Sequence, residues 1–455
     1  MLPDDFDNEG ENNVTELQGS HTIYVPDDLD LNEDFQRALN IMNSSARCVF
    51  VTGRAGTGKS TLLTYFVKNT LKKVVVLAST GVAALRVRGQ TIHSFFGFPP
   101  RIVTDEDIKT MRNRELYEAL DTVIIDEVSM VRADLMDGID RFLRINRNER
   151  RSPFGGVQVI FFGDLFQLPP VISGDSEGQY LGFRYASPYF FDAHVFSQVN
   201  IEVIDLKKVY RQKNRRFITM LNMIREGRAD NALIAKINER HAPPSQSETN
   251  LVTLTTTNDR ALTINNAKLS GLPHSECNFY GIPEGEYLQG QKEFPADLVL
   301  RLKKDAQVLF VKNDMKKRWV NGDIGTVVTV DHNMIEVGII RNDRVTVYPV
   351  EKETWEVIRY RFDNETGNIV ADVVGTFTQY PLKLAWAITI HKSQGATFDK
   401  VHIDLGRGAF AHGQAYVALS RCRSLKGITL ERPLRLSDIR VDGRIVHFFN
   451  NALNH

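Results

Sequence analysis

Residues 48–69 read CVFVTGRAGTGKSTLLTYFVKN. A short apolar run, CVFVT, reaches the glycine-rich turn GRAGTGKS (Gly53 to Ser60), and the chain resumes as TLLTYFV with apolar residues at helical spacing. A strand, a G-x-x-x-x-G-K-[ST] loop and a helix in that order make a phosphate cradle. Its glycines let backbone N–H groups close around the β-phosphate, and Lys59 reaches the β and γ oxygens. Ser60 is placed to ligate Mg²⁺, while the helix N-terminus adds positive potential. Gly53, Ala55, Gly56, Thr57, Gly58, Lys59, Ser60 and Thr61 are therefore the expected nucleotide contacts, with ATP and Mg²⁺ as cofactors. A chance match in a glycine-rich turn is the bland alternative, and the strand and helix on either side weigh against it.

Working outward, VVVLAS, TVIIDE and VQVIFFGD are further short apolar runs, each separated by enough chain for a crossover helix, which is how a parallel sheet is written. The run VIIDE delivers Asp126 and Glu127 to the carboxyl end of its strand, where open α/β sheets bind ligands. Asp126 is expected to hold Mg²⁺, and Glu127 to take a proton from the attacking water. Alone, such an acidic pair is more often a helix cap. In VQVIFFGDLFQLPPV a strand ends at Gly163 and Asp164, and Gln167 follows as a candidate γ-phosphate sensor, with a turn residue as the plain alternative. Arg211 in VYRQ and Arg421 in YVALSRC are candidate arginine fingers, which stabilise charge on the γ oxygens. A surface position is the usual fate of any single arginine.

The 455 residues are enough for two to four domains. The first 30 form an acidic segment too polar to order itself; residues 31–205 read as one α/β domain. Residues 206–290 and 380–455 read as a second, interrupted by alternating strands and turns at 291–379 that suggest a small antiparallel barrel. Apolar content of 42% with no apolar run approaching the ~20 residues of a membrane span excludes a spanning helix. Three scattered cysteines without metal-type spacing suggest neither a disulfide framework nor a zinc site and fit a reducing compartment. No export or import signal is visible. Net charge is zero, yet residues 1–36 hold 11 acids and no Lys or Arg, leaving 45 acids against 56 bases in the remainder. That basic body is compatible with a polyanionic partner.

GRAGTGKS, VIIDE, GDLFQLPPV, YRQ, ITIHKSQGATF and YVALSRC, in this order, resemble the motifs of superfamily 1 helicases. STGVAALRVRGQTIHSFFGFP and the stretch after VIIDEVSM are similar to the petite-integration-frequency DNA helicases, the 5′-to-3′ branch, over roughly residues 31–440. RFLRINRNERRSPFGG matches that family's signature region only loosely. The resemblance implies two RecA-like domains with ATP between them, a barrel beside the second and a wedge near 97–115, around Phe98. It also implies that Gln36 reads the adenine, that Lys59, Ser60, Asp126, Glu127 and Gln167 form the nucleotide site, and that Arg211 and Arg421 touch the γ-phosphate. Gly395 would lie near the same cleft. The activity implied is ATP-dependent unwinding of DNA in replication, repair or recombination, with forks, RNA–DNA hybrids and G-quadruplexes as further substrates. A compact protein of bacterial or viral type, or the trimmed core of a eukaryotic one, is expected: a monomer that can oligomerise on DNA, cytoplasmic, or nuclear or mitochondrial only in the trimmed eukaryotic case.

A single strand is held by backbone contacts and by aromatic faces on which bases stack. By resemblance, Thr80, Gly81, His93, Phe95 and Phe96 line the DNA groove, although core packing is expected for at least one of the two phenylalanines. Thr256, Asn258, Thr389, His391 and Lys392 would serve on the second lobe, and Lys312, Asn313 and Trp319 in the barrel, where a merely solvated basic turn is the competing reading. Three rivals share these features: a translocase subunit of a recombination nuclease, a P-loop ATPase acting on protein, and a DNA-binding module with a structural nucleotide.

Overall fold

Strand β1 (Cys48–Gly53) is buried at every position, as a continuous apolar run in the middle of a parallel sheet must be. The computed structural model describes residues 30–44, 48–172, 174–243, 250–287, 294–341 and 344–453; the acidic segment expected at 1–30 lies outside them except for Asp30. Helix α1 (Glu33–Ser44) precedes β1, started by the Asn32 side chain accepting from Phe35 N at 3.0 Å, and buries Phe35, Ala38 and Met42 against the sheet. Helix α2 (Lys59–Asn69) follows the glycine-rich loop.

The remaining strands of the first sheet are β2 (Val74–Ala78), β3 (Gln90–Thr91), β4 (Thr122–Asp126), β5 (Gln158–Phe162) and β6 (Ile201–Leu206). Their order is β3-β2-β4-β5-β1-β6, all parallel. The carboxyl ends of β1, β4 and β5 therefore share one edge, and they bring Gly53, Asp126 and Asp164 together there. A second parallel sheet has four strands in the spatial order Ala387–Thr389, Val252–Thr255, Val401–Asp404, Ile428–Leu430. Helices Arg215–Arg225 and Gln414–Ser420 pack on it around Leu221, Val401 and Val417. The chain is of the α/β class, with a separate antiparallel region.

That region runs from Cys277 to Leu384. Strands 307–310, 324–330, 335–341, 344–350 and 382–384 form one antiparallel sheet around Phe310, Trp319 and Val337. A long hairpin, Glu353–Asp363 with Asn368–Gln379, pairs with Ile282–Gly285. It leans on the first lobe: the Tyr360 hydroxyl accepts from Val76 N at 3.2 Å, and Tyr360 N donates to the Gln90 side chain at 3.3 Å.

One expectation needs correction. The last helix, Gly443–Leu453, was expected within the second α/β domain, yet Ile445 and Phe449 join the core of the first. Phe448 stacks on Phe191 at 4.5 Å between centroids, Phe449 on Phe166 at 5.3 Å, and Arg444 pairs with Asp192. The first sheet leaves an apolar face near Phe50 and Phe190, and the chain's end crosses back to cover it.

Candidate nucleotide cleft and nucleic-acid track

The loop after β1 is held open by its own side chains. Thr57 Oγ1 donates to Arg54 O at 3.0 Å, and Lys59 Nζ donates to Gly53 O and Arg54 O at 2.7 and 3.1 Å. Burial pushes the Lys59 ammonium down from its ordinary value, opposed by the nearby Asp164 and Glu127. Gly56 is required by its surroundings: it has φ +83°, Tyr210 N donates to its carbonyl at 2.8 Å, and a Cβ there would collide with the side chain of Arg211. The segment carrying Arg211 is thus in backbone contact with the phosphate loop.

Asp126 is buried at the end of β4, and burial together with Glu127 raises its carboxyl to about 7. Glu127 occupies the left-handed region, φ +50°, uncommon for a residue with a side chain, and this turns its carboxylate into the cleft. Ser60 and Asp126 supply hard oxygen donors; no cluster of three or more His, Cys, Asp or Glu able to hold a metal occurs among the described residues. That donor set fits Mg²⁺, which is commonly held by one carboxylate, a hydroxyl, water and substrate phosphate rather than by an all-protein cage.

Across the cleft, Arg211 donates to Ser420 O at 3.3 Å and Gly395 O at 3.4 Å, and Arg421 donates to Val417 O at 3.0 Å. Burial and mutual repulsion push Arg211 down to about 9; burial is the main cause for Arg421, lowered to about 10. A guanidinium stays protonated at neutral pH, so these shifts chiefly record the burial of two cations beside the cleft, where a polyphosphate would add negative charge. Lys59, Glu127, Gln167, Arg211, Gly395 and Arg421 all line one cleft of about 930 Å³ between the lobes. Gln167 is nearly buried, its Nε2 donating to Asp164 Oδ2 at 3.3 Å.

Residues 31–233 match the PIF1-like helicase family model. The ATP-dependent DNA helicase Pif1 of Bdellovibrio bacteriovorus is 33% identical over 93% of this chain and 92% of that protein. This chain belongs to the PIF1-like helicase family. The mouse ATP-dependent DNA helicase PIF1 is also 33% identical, but the chain spans only 62% of its length. Among solved structures, Bacteroides Pif1 in complex with ADP-AlF4 is 36% identical, with a TM-score of 0.86 over 94% of this chain and 98% of that one. The same relative bound to ssDNA superposes with a TM-score of 0.67 over the same shares.

Not every expected residue of this family member reaches the cleft or a groove. Gln36 is exposed, and its amide donates to Leu31 O at 2.8 Å; the cleft wall beyond Gly58 is made instead by Phe35 and Tyr210. Tyr210 is 42% exposed, its hydroxyl is held by Asn32 Nδ2 at 2.7 Å, and Lys208 Nζ lies over its ring at 5.3 Å from the centroid. Phe95 and Phe96 are 5% and 3% exposed, packed edge to face and against Tyr117 and Phe142, so neither ring is available for a base. Phe98 in the wedge segment is likewise core, stacked on Phe96. Trp319, 2% exposed, stacks on Phe310 inside the antiparallel sheet. Lys312 pairs with Glu353 at 2.8 Å over the Trp355 ring.

The others sit closer to expectation in position. Thr80 caps helix Gly81–Arg86 at the end of β2, accepting from Ala83 N at 3.2 Å. Thr256 and Asn258 follow the corresponding strand of the second lobe, and Asn258 is exposed. Thr389 is buried, accepting from Lys392 N at 3.2 Å, while Lys392 and Asn313 are exposed. Burial lowers His93 and His391 below the ordinary imidazole value, which favours the neutral form of each.

Proposed function

We propose that the chain is an ATP-dependent DNA helicase that moves 5′-to-3′ along single-stranded DNA and separates the duplex ahead of it. The observation carrying this reading is the cleft, where a complete phosphate loop and a general base from one lobe face two arginines from the other. Such a site has its full complement of charge only when the lobes close on nucleotide. The glycine-rich loop and Lys59 orient the triphosphate, and Glu127 accepts the proton of the attacking water. Arg211 and Arg421 leave their carbonyl partners to compensate the charge that accumulates on the γ oxygens. When bound at Ser60 and Asp126, Mg²⁺ would neutralise part of the β and γ charge.

Closure moves the two halves of the track relative to each other. Thr80, Gly81 and His93 on the first lobe, and Thr256, Asn258, His391 and Lys392 on the second, grip one strand in turn. The Bacteroides relative bound to ssDNA supports the substrate class. Polarity, a role at forks, RNA–DNA hybrids or G-quadruplexes, and work in replication, repair or recombination follow the family. So does action as a monomer that assembles on DNA, for which a Pif1 structure described as two coordinating helicases at forked dsDNA is suggestive. Among the described residues no helix is long and apolar enough to cross a membrane.

The test is unwinding of two matched duplexes, one with a 5′ and one with a 3′ single-stranded tail, by wild type and Lys59→Ala. The reading expects wild type alone to open the 5′-tailed duplex. Opening of the 3′-tailed duplex alone would contradict the polarity. DNA-stimulated hydrolysis without unwinding would instead favour a translocase dependent on partner subunits.

A further inference from the structure

Arg86 is the last residue of helix Gly81–Arg86, on the first lobe, and nothing in the motif pattern assigns it a role. Its guanidinium crosses the cleft: Nη2 donates to Gln394 O of the second lobe at 3.1 Å. Nη1 lies so close to Gly395 that a Cβ there would overlap it, and Gly395 has φ +81°. Arg86 also lines the same cleft as Lys59, Glu127, Arg211 and Arg421. Its charge is felt by Asp126, whose ionised form it favours, and by Arg211 and Arg421, which it repels. Among the described residues no carboxylate forms an ion pair with it.

An arginine in this position has one weak neutral acceptor and faces two further guanidiniums. The arrangement is unfavourable for an empty cleft and favourable around the most highly charged end of a bound nucleotide. Arg86 shares the cleft with Lys59 and Glu127 and is coupled electrostatically to Asp126, Arg211 and Arg421, the groups expected around the terminal phosphate. We propose that Arg86 is a third arginine of the nucleotide site, contributed by the first lobe, and that it recognises the γ-phosphate and thereby distinguishes ATP from ADP. This rests on reading the cleft as an ATP site.

The same helix gives the contact a mechanical consequence. It begins beside Thr80, on the expected DNA track, and Leu85 packs against the antiparallel region at Trp355 and Phe377. Recruiting the guanidinium to phosphate releases Gln394 O, so arrival of the γ-phosphate breaks a contact between lobes at one end of a helix whose other end meets DNA.

The experiment is equilibrium binding of fluorescent ADP and a fluorescent, non-hydrolysable ATP analogue, both with Mg²⁺, to the full chain as wild type, Arg86→Ala and Arg86→Lys, with thermal unfolding of each. A charge-assisted contact to phosphate predicts that Arg86→Ala weakens the ATP analogue about tenfold or more and changes ADP by less than about twofold. Arg86→Lys should restore part of the loss, and the unfolding midpoints should coincide. Equal weakening of both nucleotides, or no change in either, would overturn the proposal and leave Arg86 as a plain tie between lobes. Failure of the wild type to bind the ATP analogue would overturn the ATPase reading itself, and this inference with it.

Discussion

Glu127 holds a left-handed backbone conformation that costs on the order of 1–3 kcal/mol, and its neighbour Asp126 is a buried carboxyl raised to about 7. Both features oppose folding and both aim charge at one place. Glu127→Gln keeps the shape and removes the base, so ATP turnover should fall about 10²- to 10⁴-fold while nucleotide affinity persists, as steady-state hydrolysis beside equilibrium binding would report. Retained turnover would remove Glu127 from the mechanism. For Asp126 the folded value lies above the ordinary 3.8, so the folded chain keeps a proton that the unfolded chain releases. Its contribution to the metal-free protein is therefore least unfavourable near pH 4, and stability is lost as pH rises through about 7. Asp126→Asn should raise the unfolding midpoint at pH 8 in chelator, by the equivalent of about 1–4 kcal/mol, and the gain should vanish toward pH 4. Identical pH profiles for variant and wild type would mean that the carboxylate ionises there without penalty.

At the scale of elements, what the chain discloses depends on whether one face of a segment is answered locally. The strands TVIID and QVIFF are buried at every position because both faces of a parallel sheet are covered, and their carboxyl ends lead to Asp126 and Asp164. TIHSFF gives no such signal. Rings at a groove and rings in a core look alike in sequence, and only the neighbouring Tyr117 and Phe142 decide that Phe95 and Phe96 point inward. Trp319 follows the same logic, since it lies in a loop and only its partner Phe310, at the end of the strand Gln307–Phe310, shows that it points inward. Arg86 and Tyr210 were illegible for the opposite reason: each is an ordinary polar or aromatic residue until a distant segment makes it a wall of the cleft. The terminal helix is a further case, its apolar face matched by a sheet about 250 residues or more upstream. Phe449→Ala should therefore destabilise the first lobe, by about 3–5 kcal/mol, in a chemical denaturation series. A loss below 1 kcal/mol would show that the helix is merely resting there.

The whole molecule is joined across its cleft by a buried network that no motif spelling reveals. Asp164 of the first lobe pairs with Arg225 of the second at 2.9 Å, and Tyr416 donates to Asp164 at 3.3 Å while accepting from Ala55 N of the phosphate loop at 3.0 Å. Arg225 also lies over the Phe166 ring. A buried charge pair of this kind is strongly destabilising to break, about 3–5 kcal/mol, so the lobes have a preferred relation before nucleotide arrives. In the proposed mechanism hydrolysis requires both lobes, with the second contributing charge to a site built on the first. The most direct measurement is ATP turnover with and without single-stranded DNA by wild type and Arg421→Ala, alongside nucleotide binding by each. Wild type should show DNA-stimulated turnover, and the variant should bind ATP with turnover reduced about 10³-fold or more. Turnover at the wild-type rate in Arg421→Ala would contradict this mechanism, because the first lobe would then be hydrolysing ATP alone.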